Sequence, residues 1–426
     1  MRALIRRSAV ALLLAAGTTL GAAVGGGSPA SAVQCQEPGD VIRPVPWAQQ
    51  ALLPQRAFPL ATGAGVVVAV LDSGVDAVHP QLAGQVSTGR DYLYSKNGPG
   101  NRDCVGHGTA VGSIIAARQV DGTGFHGVAP GARLLPMTVS ERRADGDRAS
   151  GAAVSPNEFA AVVRDSVQRG AKVINISAVF TTDHPAVRAA IRNAVEADVV
   201  VVAAVGNSAE DGNPTPYPAA YPDVLGVGAV DQQGRVLPQS GRGAFVDLVA
   251  PGDGITAATP RRGHATWRGT SFAAPFVSGA AALVRQYHPK LTAREVTQRL
   301  TATASPSPGG ARSDSYGFGM VDPYRAVAER FVQAVPTVAP TPVEPVLDPA
   351  VVAREAERRR LATAALTVGG TGAGLALVVG LVAIARRIGR RGRWRPTRAT
   401  RMPTPTLAQL GPPVGLLDDV TSGDRE

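Results

Sequence analysis

The chain of 426 residues is 44% hydrophobic and 18% charged, which excludes a wholly disordered protein and allows a large buried core. Its two cysteines are too few for a disulfide-rich scaffold or for a zinc site built from thiolates. The net charge of +10 comes from the two ends, because three arginines lie within the first seven residues and eight lie between Arg386 and Arg401. The remainder is nearly neutral, so the charge predicts no nucleic-acid partner.

Residues 1–32 have the pattern of a secretory signal peptide. A basic start precedes the apolar run Ala9–Leu14, and Ala30-Ser31-Ala32 fits a signal-peptidase cleavage site, so we expect the mature chain to begin near Val33. The alternative is an N-terminal membrane anchor, for which the apolar run is short.

Residues 33–65 are rich in Pro, Gln and Gly and have little periodicity, which indicates an N-terminal extension. An exported domain folds in a compartment that permits disulfides, and Cys35 and Cys104 are the only available pair, so we expect them to be bridged. Two free thiols are the alternative. An extension of this length is too short for a core of its own, so we expect it to remain on the mature protein as a strap.

Apolar runs of strand length alternate with amphipathic stretches through residues 66–330. This alternation predicts a doubly wound α/β domain, with a mostly parallel sheet covered by helices on both faces. Thr292 and Glu295 form a capping box that opens a further helix. The expected strands are Val66–Leu71, Arg133–Val139, Val173–Ile176, Val199–Ala203 and Val224–Gly228, and the expected helices are His107–Ala117, Glu158–Gln168, Pro185–Ala197 and Ser271–Tyr287.

Three short motifs fall where such a sheet places its functional residues. Asp72 ends the first strand, His107 opens a helix between two glycines, and Ser271 heads an alanine-rich helix. Each alone has an ordinary interpretation as a turn residue, a helix-start histidine or an N-cap. Together they have the Asp, His, Ser order of the subtilisin-type triad.

The flanking residues resemble the subtilase family, because D-S-G, H-G-T-x-V-x-G and G-T-S-x-A-x-P all occur in order. The resemblance implies a subtilisin-like fold and a serine endopeptidase of protein or peptide substrates, with Ser271 as nucleophile, His107 as its base and Asp72 orienting the imidazole. It also implies that Asn207, in an A-A-x-G-N segment, donates to the oxyanion together with the amide of Ser271.

The resemblance places a substrate-pairing edge at Ser177 and Ala178, and a first specificity pocket at Ala204, Val205 and Gly206. These pocket residues favour small or medium apolar side chains. Subtilases often have glycine after the Ser-x pair, whereas this chain has Val179, which leaves the shape of the pocket open.

The remaining titratable residues have no metal-binding spacing, so we expect no metal and no cofactor, although a structural calcium ion is not excluded. The other histidines are expected to be structural, in turns, element ends or loops: His79, His126, His184, His264 and His288. The charged stretch 141–150 is expected to be a mobile loop near the cleft, the alternative being a partner-binding or self-cleaved loop.

The C-terminal part has the sequence pattern of a membrane anchor. A proline-rich linker and juxtamembrane segment at 331–360 precedes Leu361–Ala385, which has no charged residue and is long enough for a transmembrane helix. A glycine-rich flexible tail is the alternative. The arginine-rich residues 386–426 would stay in the cytoplasm by the positive-inside rule, so the catalytic domain would lie outside the cell membrane.

This order of segments resembles the mycosins, the membrane-anchored subtilases of type VII secretion systems. That resemblance implies the secretion membrane complex as a partner and cleavage of a narrow set of exported proteins. The alternative is a structural subunit that stabilises the complex and whose peptidase activity is dispensable. A nutritional protease is disfavoured, because such enzymes gain by diffusing away from the cell, whereas the expected anchor would hold this protein at the membrane.

Overall fold

A computed structural model describes residues 35–95, 98–141, 143–145, 148–330 and 349–391. The predicted signal peptide lies outside the described residues, as do positions 331–348 of the linker and 392–426 of the tail. The described residues from 35 to 330 form one compact unit, and those from 349 to 391 belong to a second.

The first unit alternates strands and helices. Its helices are α1 (Trp47–Leu52), α2 (His107–Ala116), α3 (Pro156–Gln168), α4 (Pro185–Glu196), α5 (Thr270–Tyr287), α6 (Ala293–Ala302) and α7 (Pro323–Ala328), with a 3-10 turn at Pro54–Ala57. Its strands are β1 (Val67–Asp72), β2 (Arg90–Asp91), β3 (Arg133–Thr138), β4 (Arg143–Asp145), β5 (Arg148–Ser150), β6 (Val173–Ile176), β7 (Val200–Ala204), β8 (Val224–Val230), β9 (Leu248–Pro251), β10 (Ile255–Ala258), β11 (His264–Trp267), β12 (Ser305–Pro306) and β13 (Gly319–Met320).

The main sheet of the described chain has nine strands in the order β12-β13-β9-β8-β7-β6-β1-β3-β2. Every neighbouring pair is parallel except β12 with β13, so the predicted mostly parallel sheet is confirmed. β1 lies beside β6 in the interior of the sheet, with Leu71 opposite Ile176. The carboxyl ends of the central strands therefore meet along one edge, where Asp72 lies.

Alternate residues of each buried strand pack on opposite faces of the sheet. Val68 and Val70 of β1 belong to a core with Phe276 of α5, whereas Leu71 belongs to a second core with Phe159 of α3. Since both faces are covered by helices, the strands are apolar throughout, and this is why they were predictable as unalternating runs.

The predicted element boundaries agree with the structure to within two residues. At α6, Thr292 accepts from the amide of Glu295 at 3.3 Å, and the Glu295 carboxylate accepts from the amide of Thr292 at 2.7 Å, as the capping box requires. Within the stretch 141–150, which was expected to be a mobile loop, β4 and β5 form a short antiparallel hairpin.

The first part of the extension pairs with residues far along the chain. Cys35 and Cys104 form a disulfide, which confirms the predicted bridge. The amide of Gly39 donates to the Thr259 hydroxyl at 2.8 Å. The carbonyl of Asp40 accepts from the amide of His264, so the extension continues the β10–β11 hairpin as an additional bridge.

The second part of the extension is helical, although its composition suggested little regular structure. The Trp47 indole on α1 donates to the carbonyl of Asp253 at 3.0 Å. At the far end, the Gln286 side-chain oxygen accepts from three consecutive amides, those of Thr62, Gly63 and Ala64, at 2.7, 2.6 and 3.0 Å. The extension is therefore fastened along its whole described length.

The second unit is described as one helix, α8 (Pro349–Arg391). It begins within the region predicted as linker and juxtamembrane segment, and it covers the predicted transmembrane stretch. Over the described part of the chain, no helix combines the length and apolar composition that a membrane crossing needs.

Candidate active site

Asp72 and His107 meet where the end of β1 faces the start of α2. The Nδ1 atom of His107 lies 2.7 Å from Oδ1 of Asp72, and the same oxygen accepts from the amide of Ser73 at 2.8 Å. The two backbones approach so closely that a Cβ atom on Gly108 would lie 2.0 Å from the carbonyl oxygen of Gly74. With Nδ1 engaged by the carboxylate, Nε2 is the ring nitrogen left for a substrate or nucleophile.

The electrostatics of this pair favour a protonatable histidine. Burial lowers the pKa of His107, but the charge and hydrogen bond of Asp72, with a further contribution from Asp103, outweigh it. The net pKa of His107 is therefore above its ordinary value of 6.5. An imidazole of raised pKa is a stronger base, which suits proton removal from a hydroxyl.

Ser271 is the second residue of α5 and faces Ser177, which follows β6. The Ser271 hydroxyl donates to the Ser177 carbonyl at 3.5 Å, and the Ser177 hydroxyl donates to the Ser271 carbonyl at 3.3 Å. Buried Asn175 supports this arrangement, because it donates to the Ser177 hydroxyl at 3.3 Å and accepts from Ser278 of α5 at 2.8 Å. No local pattern in the sequence indicated a role for Asn175, which lies inside an apolar strand.

Asn207 follows the end of β7, next to the start of α5. Its side-chain oxygen accepts from the amide of Thr270 at 2.9 Å, which leaves the side-chain nitrogen as a donor. Gly206 just before it has φ of +83°, a conformation that glycine adopts without strain. The amide of Thr270, the residue before Ser271, thus orients the Asn207 side chain.

Two cavities share Ser271. The larger, of about 720 Å³, is also lined by Asp72 and His107, and the smaller has a volume of about 260 Å³. Four residues line both cavities: Ser177, Val179, Asn207 and Ser271. The predicted nucleophile and oxyanion donor therefore lie at the junction of a wide cleft and a smaller pocket.

The predicted substrate-binding residues lie in different places in the structure. Val205 and Gly206 line the smaller pocket, and Ala178 lines the larger cleft. Ala204 lines neither, contrary to expectation, because its side chain packs in the core between the sheet and α5. The pocket also has polar walls that sequence reasoning missed, contributed by Thr181, Ser208 and Asn213.

The segment Ser177 to Val179 forms an edge of the cleft. Phe180 next to it pairs with Tyr217 through two backbone hydrogen bonds of 2.8 Å. Within the described residues, the amides of Ser177, Ala178 and Val179 have no backbone acceptor. An extended peptide could accept hydrogen bonds from such an edge.

Two aromatic rings lie near the ring of His107. The ring of Phe272 lies 4.9 Å from that of His107, and Trp267 lies 5.2 Å from Phe272. Gln36 of the extension lines the same cleft as these two aromatic residues. Sequence reasoning identified none of them as part of the site.

One of the other histidines lies where it was not expected. His264 begins β11 rather than lying in a loop, whereas His126 lies in a loop as expected and is buried there. His79 and His264 are both buried and contact Gly263 and Gln81 respectively. In the described ranges, no group of three or more His, Cys, Asp or Glu side chains is arranged to hold a metal ion.

A parallel sheet with an acidic residue, a helix-start histidine and a helix-start serine along one cleft is the arrangement of a subtilisin-like serine peptidase. The model of the subtilase family matches residues 63–319. Mycosin-1 from Mycobacterium tuberculosis is 36% identical over 397 residues, covering 82% of this chain and 86% of that protein. The chain therefore belongs to the subtilase family, as a serine protease with mycosin homologues.

Solved structures agree with this assignment. "Structure of a serine protease MycP1, an essential component of the type VII (ESX-1) secretion system" has a TM-score of 0.59 and 33% identity, covering 69% of this chain and 92% of that one. "Crystal structure of MycP1 with the N-terminal propeptide removed" has a TM-score of 0.58 and 33% identity, covering 67% and 98%.

Proposed function

We propose that this protein is a membrane-anchored serine endopeptidase of a type VII secretion system that cleaves a narrow set of exported proteins. The 2.7 Å contact between His107 and Asp72, on the cleft that Ser271 and Asn207 also line, carries the catalytic part of the proposal. In it, His107 takes the proton from Ser271 and returns it to the leaving amine, while Asp72 stabilises the imidazolium. The reaction uses no metal or cofactor.

The oxyanion part of the proposal rests on Asn207 and the start of α5. As Ser271 attacks, the substrate carbonyl becomes negatively charged, and it needs fixed donors where that charge develops. The side-chain nitrogen of Asn207 and the amide of Ser271 are the proposed donors. The hydrogen bond from Thr270 to Asn207 would fix the amide orientation before substrate arrives.

The proposed substrates are extended peptide segments with a small or medium apolar side chain before the cleaved bond. The open edge at Ser177 to Val179 would pair with the peptide backbone, as strands pair in a sheet. The side chain before the scissile bond would enter the smaller pocket beside Val205 and Gly206. Because that pocket also contains Thr181, Ser208 and Asn213, a small hydroxyl-bearing side chain would fit as well.

The extension is proposed to remain attached in the active enzyme, although one MycP1 structure is described with its N-terminal propeptide removed. Its described contacts begin with the disulfide at Cys35 and end with the hydrogen bonds to Gln286. Among the described residues of the extension, Gln36 alone lines the cleft. N-terminal sequencing of active enzyme should find a start near Val33. An active form that always begins near Val66, with the longer form inert, would contradict this.

The membrane anchor is proposed on the sequence, with the catalytic domain outside the cell and residues 386–426 inside. The uncharged run Leu361–Ala385 is followed by eight arginines. The described apolar side chains of α8, such as Leu377 and Ile384, are largely exposed and would need an apolar surrounding. Protease added to spheroplasts should digest residues 33–360 and spare a C-terminal tag, and digestion of the tag would contradict this orientation.

The relation to a type VII secretion complex rests on the similarity to MycP1, which is described as an essential component of such a system. A strain carrying Ser271→Ala, compared with a full deletion, separates catalysis from assembly. If catalysis is the essential role, both strains lose secretion and cleavage of exported proteins. If the mutant protein is present at normal level and secretion continues, the structural role is the essential one.

A further inference from the structure

The carboxyl group of Asp103 lies between the two segments that carry Asp72 and His107. Its Oδ1 atom accepts from the Ser73 hydroxyl at 3.0 Å and from the amide of Gly106 at 2.8 Å. Its Oδ2 atom accepts from the amide and the hydroxyl of Thr109 at 2.8 and 2.7 Å. Four donors therefore converge on two carboxylate oxygens, an arrangement that suits the ionised form.

The two hydroxyl groups that donate to Asp103 also accept hydrogen bonds from backbone amides. The Ser73 hydroxyl accepts from the amide of Gly108 at 2.9 Å, and the Thr109 hydroxyl accepts from the amide of Asp76 at 3.0 Å. Each hydroxyl thus links the turn after β1 to the first turn of α2, and Asp103 receives the proton of both. If the carboxylate were lost, both links would lose their common acceptor.

We propose that Asp103 is a positioning residue for the proposed catalytic histidine, because its carboxylate holds the turn after β1 against the start of α2, where His107 lies. The inference rests on the proposed function, because it assumes that His107 is the base. Asp103 acts through the two segments and through its charge, and it does not line the cleft.

The charged groups that act on Asp103 are Asp72 on β1 and His107 on α2, and its direct contacts are uncharged. Burial, with a smaller contribution from Asp72, raises the pKa of Asp103 to about 6, against the opposing hydrogen bonds of Thr109 and Gly106. The charge of Asp103 in turn raises the pKa of His107. Removing that charge should lower the pKa of His107, so the base form should persist to lower pH.

The test measures the rate at which a fluorophosphonate labels Ser271, per labelled site, between pH 5 and 9. This probe reports serine activation without requiring the natural substrate. We expect Asp103→Asn to slow labelling on the order of 10- to 100-fold at the plateau and to move the acid limb to lower pH. If the labelling rate of the variant falls at the same acidic pH as in the wild type, the inference is overturned.

Asp247→Asn is the matched control. Burial also raises the pKa of Asp247 to about 6, and Asp247 accepts from the amide of Gly226, but it lines neither cavity. Its variant should lose stability while keeping the wild-type pH profile per labelled site. An equal displacement of the acid limb in both variants would mean that loss of any buried carboxylate has this effect, and would overturn the inference.

If Asp103→Asn does not fold, Ser73→Ala carries the test, because it removes one of the four hydrogen bonds and the link to Gly108. We expect labelling to slow several-fold, and an unchanged rate would overturn the inference. Wild-type protein that is never labelled at Ser271 would instead refute the proposed function. The two failures are therefore distinguishable.

Discussion

The hydroxyl of Ser271 donates to the backbone carbonyl of Ser177, at 3.5 Å, at the junction of the two cavities. The hydroxyl is therefore turned toward the proposed substrate-pairing edge. A peptide that occupies this edge would compete for the space near Ser271. Catalytic hydrogen bonds are commonly long before substrate binds, so this geometry is compatible with a Ser271 that transfers its proton to His107 in the complex.

Loss of the proposed base should abolish the reactivity of Ser271. We expect His107→Ala to reduce fluorophosphonate labelling at least about 10³-fold, because the hydroxyl loses its proton acceptor. Labelled peptides identified by mass spectrometry are the measurement. Ser95→Ala, at an exposed serine that lines neither cavity, should keep the label. Labelling of a serine other than Ser271, or undiminished labelling without His107, would contradict the assignment.

Replacing Asn207 should affect the transition state more than the bound substrate. We expect Asn207→Ala to lower kcat by about 10²- to 10³-fold, roughly 3–4 kcal/mol, with little change in KM. Asn193→Ala, an exposed change on α4, provides the control for handling and expression. Steady-state kinetics with a cleavable peptide separate the two constants. A variant that raises KM and leaves kcat intact would assign Asn207 to substrate binding instead.

Val179 should restrict the side chain that enters the smaller pocket. A Cβ atom placed on Gly206 would lie 3.6 Å from Cγ1 of Val179, so the valine methyl groups approach the opposite wall. We expect Val179→Gly to raise kcat/KM for a phenylalanine substrate relative to an alanine substrate by about tenfold or more. Val179→Ala should give an intermediate ratio. An unchanged ratio would mean that other walls define the pocket.

The disulfide should stabilise the domain and the extension together. Cys35 and Cys104 are separated by 69 residues, and the chain-entropy model gives about 4 kcal/mol for a loop of this length. Urea unfolding of the Cys35→Ser, Cys104→Ser double variant should reveal a loss of that order. A reduced wild-type protein should behave like the double variant. Equal stability with and without the bridge would contradict the prediction.

Acid should destabilise the protein through His264. Its Nδ1 atom accepts from the amide of Ile42 at 3.2 Å and Nε2 lies 2.7 Å from the Gln81 oxygen, so both nitrogens are used by the neutral ring. Burial, followed by the charge of His79, lowers the pKa of His264 to about 4. The unfolded chain binds this proton more readily, so stability should fall as pH decreases from 6.5 toward 4.

Urea midpoints measured from pH 7 to pH 4 test this contribution. His264→Gln should be less stable than wild type at pH 7 but should lose less stability on acidification. A dependence on pH remains in that variant, because burial also lowers the pKa of His79 and of His126. Asn193→Ala, an exposed change at a residue that does not titrate, should keep the wild-type slope. Equal slopes in all three proteins would exclude His264 as a source of the effect.

The strands and helices around the site were predictable because their signals are local. The run that ends at Asp72 is apolar throughout, and the spacing of Thr292 and Glu295 is a complete helix-start signal within four residues. Ser271 and His107 were found by motifs that extend only a few positions on either side. For such features, neighbouring residues alone provide the information.

The supporting residues could not be predicted, because their partners are distant in sequence. Asn175 contacts Ser278, more than one hundred positions away, and nothing near Asn175 indicates that contact. Ala204 was misplaced for a related reason, since the motif gives its position in the chain but not the face of β7 on which it lies. Trp267 belongs to a hairpin whose strands are too short for their apolar pattern to predict them.

The attachment of the extension has a consequence for the order in which the chain can fold. Gly39, Ile42 and Thr62 bond to Thr259, His264 and Gln286, which lie 220 to 224 positions later. These attachments of the extension therefore wait for partners that are synthesised much later, and such distant contacts form slowly. A chain interrupted before residue 286 would lack the final attachment point, so only the completed domain makes every attachment of its N-terminal segment.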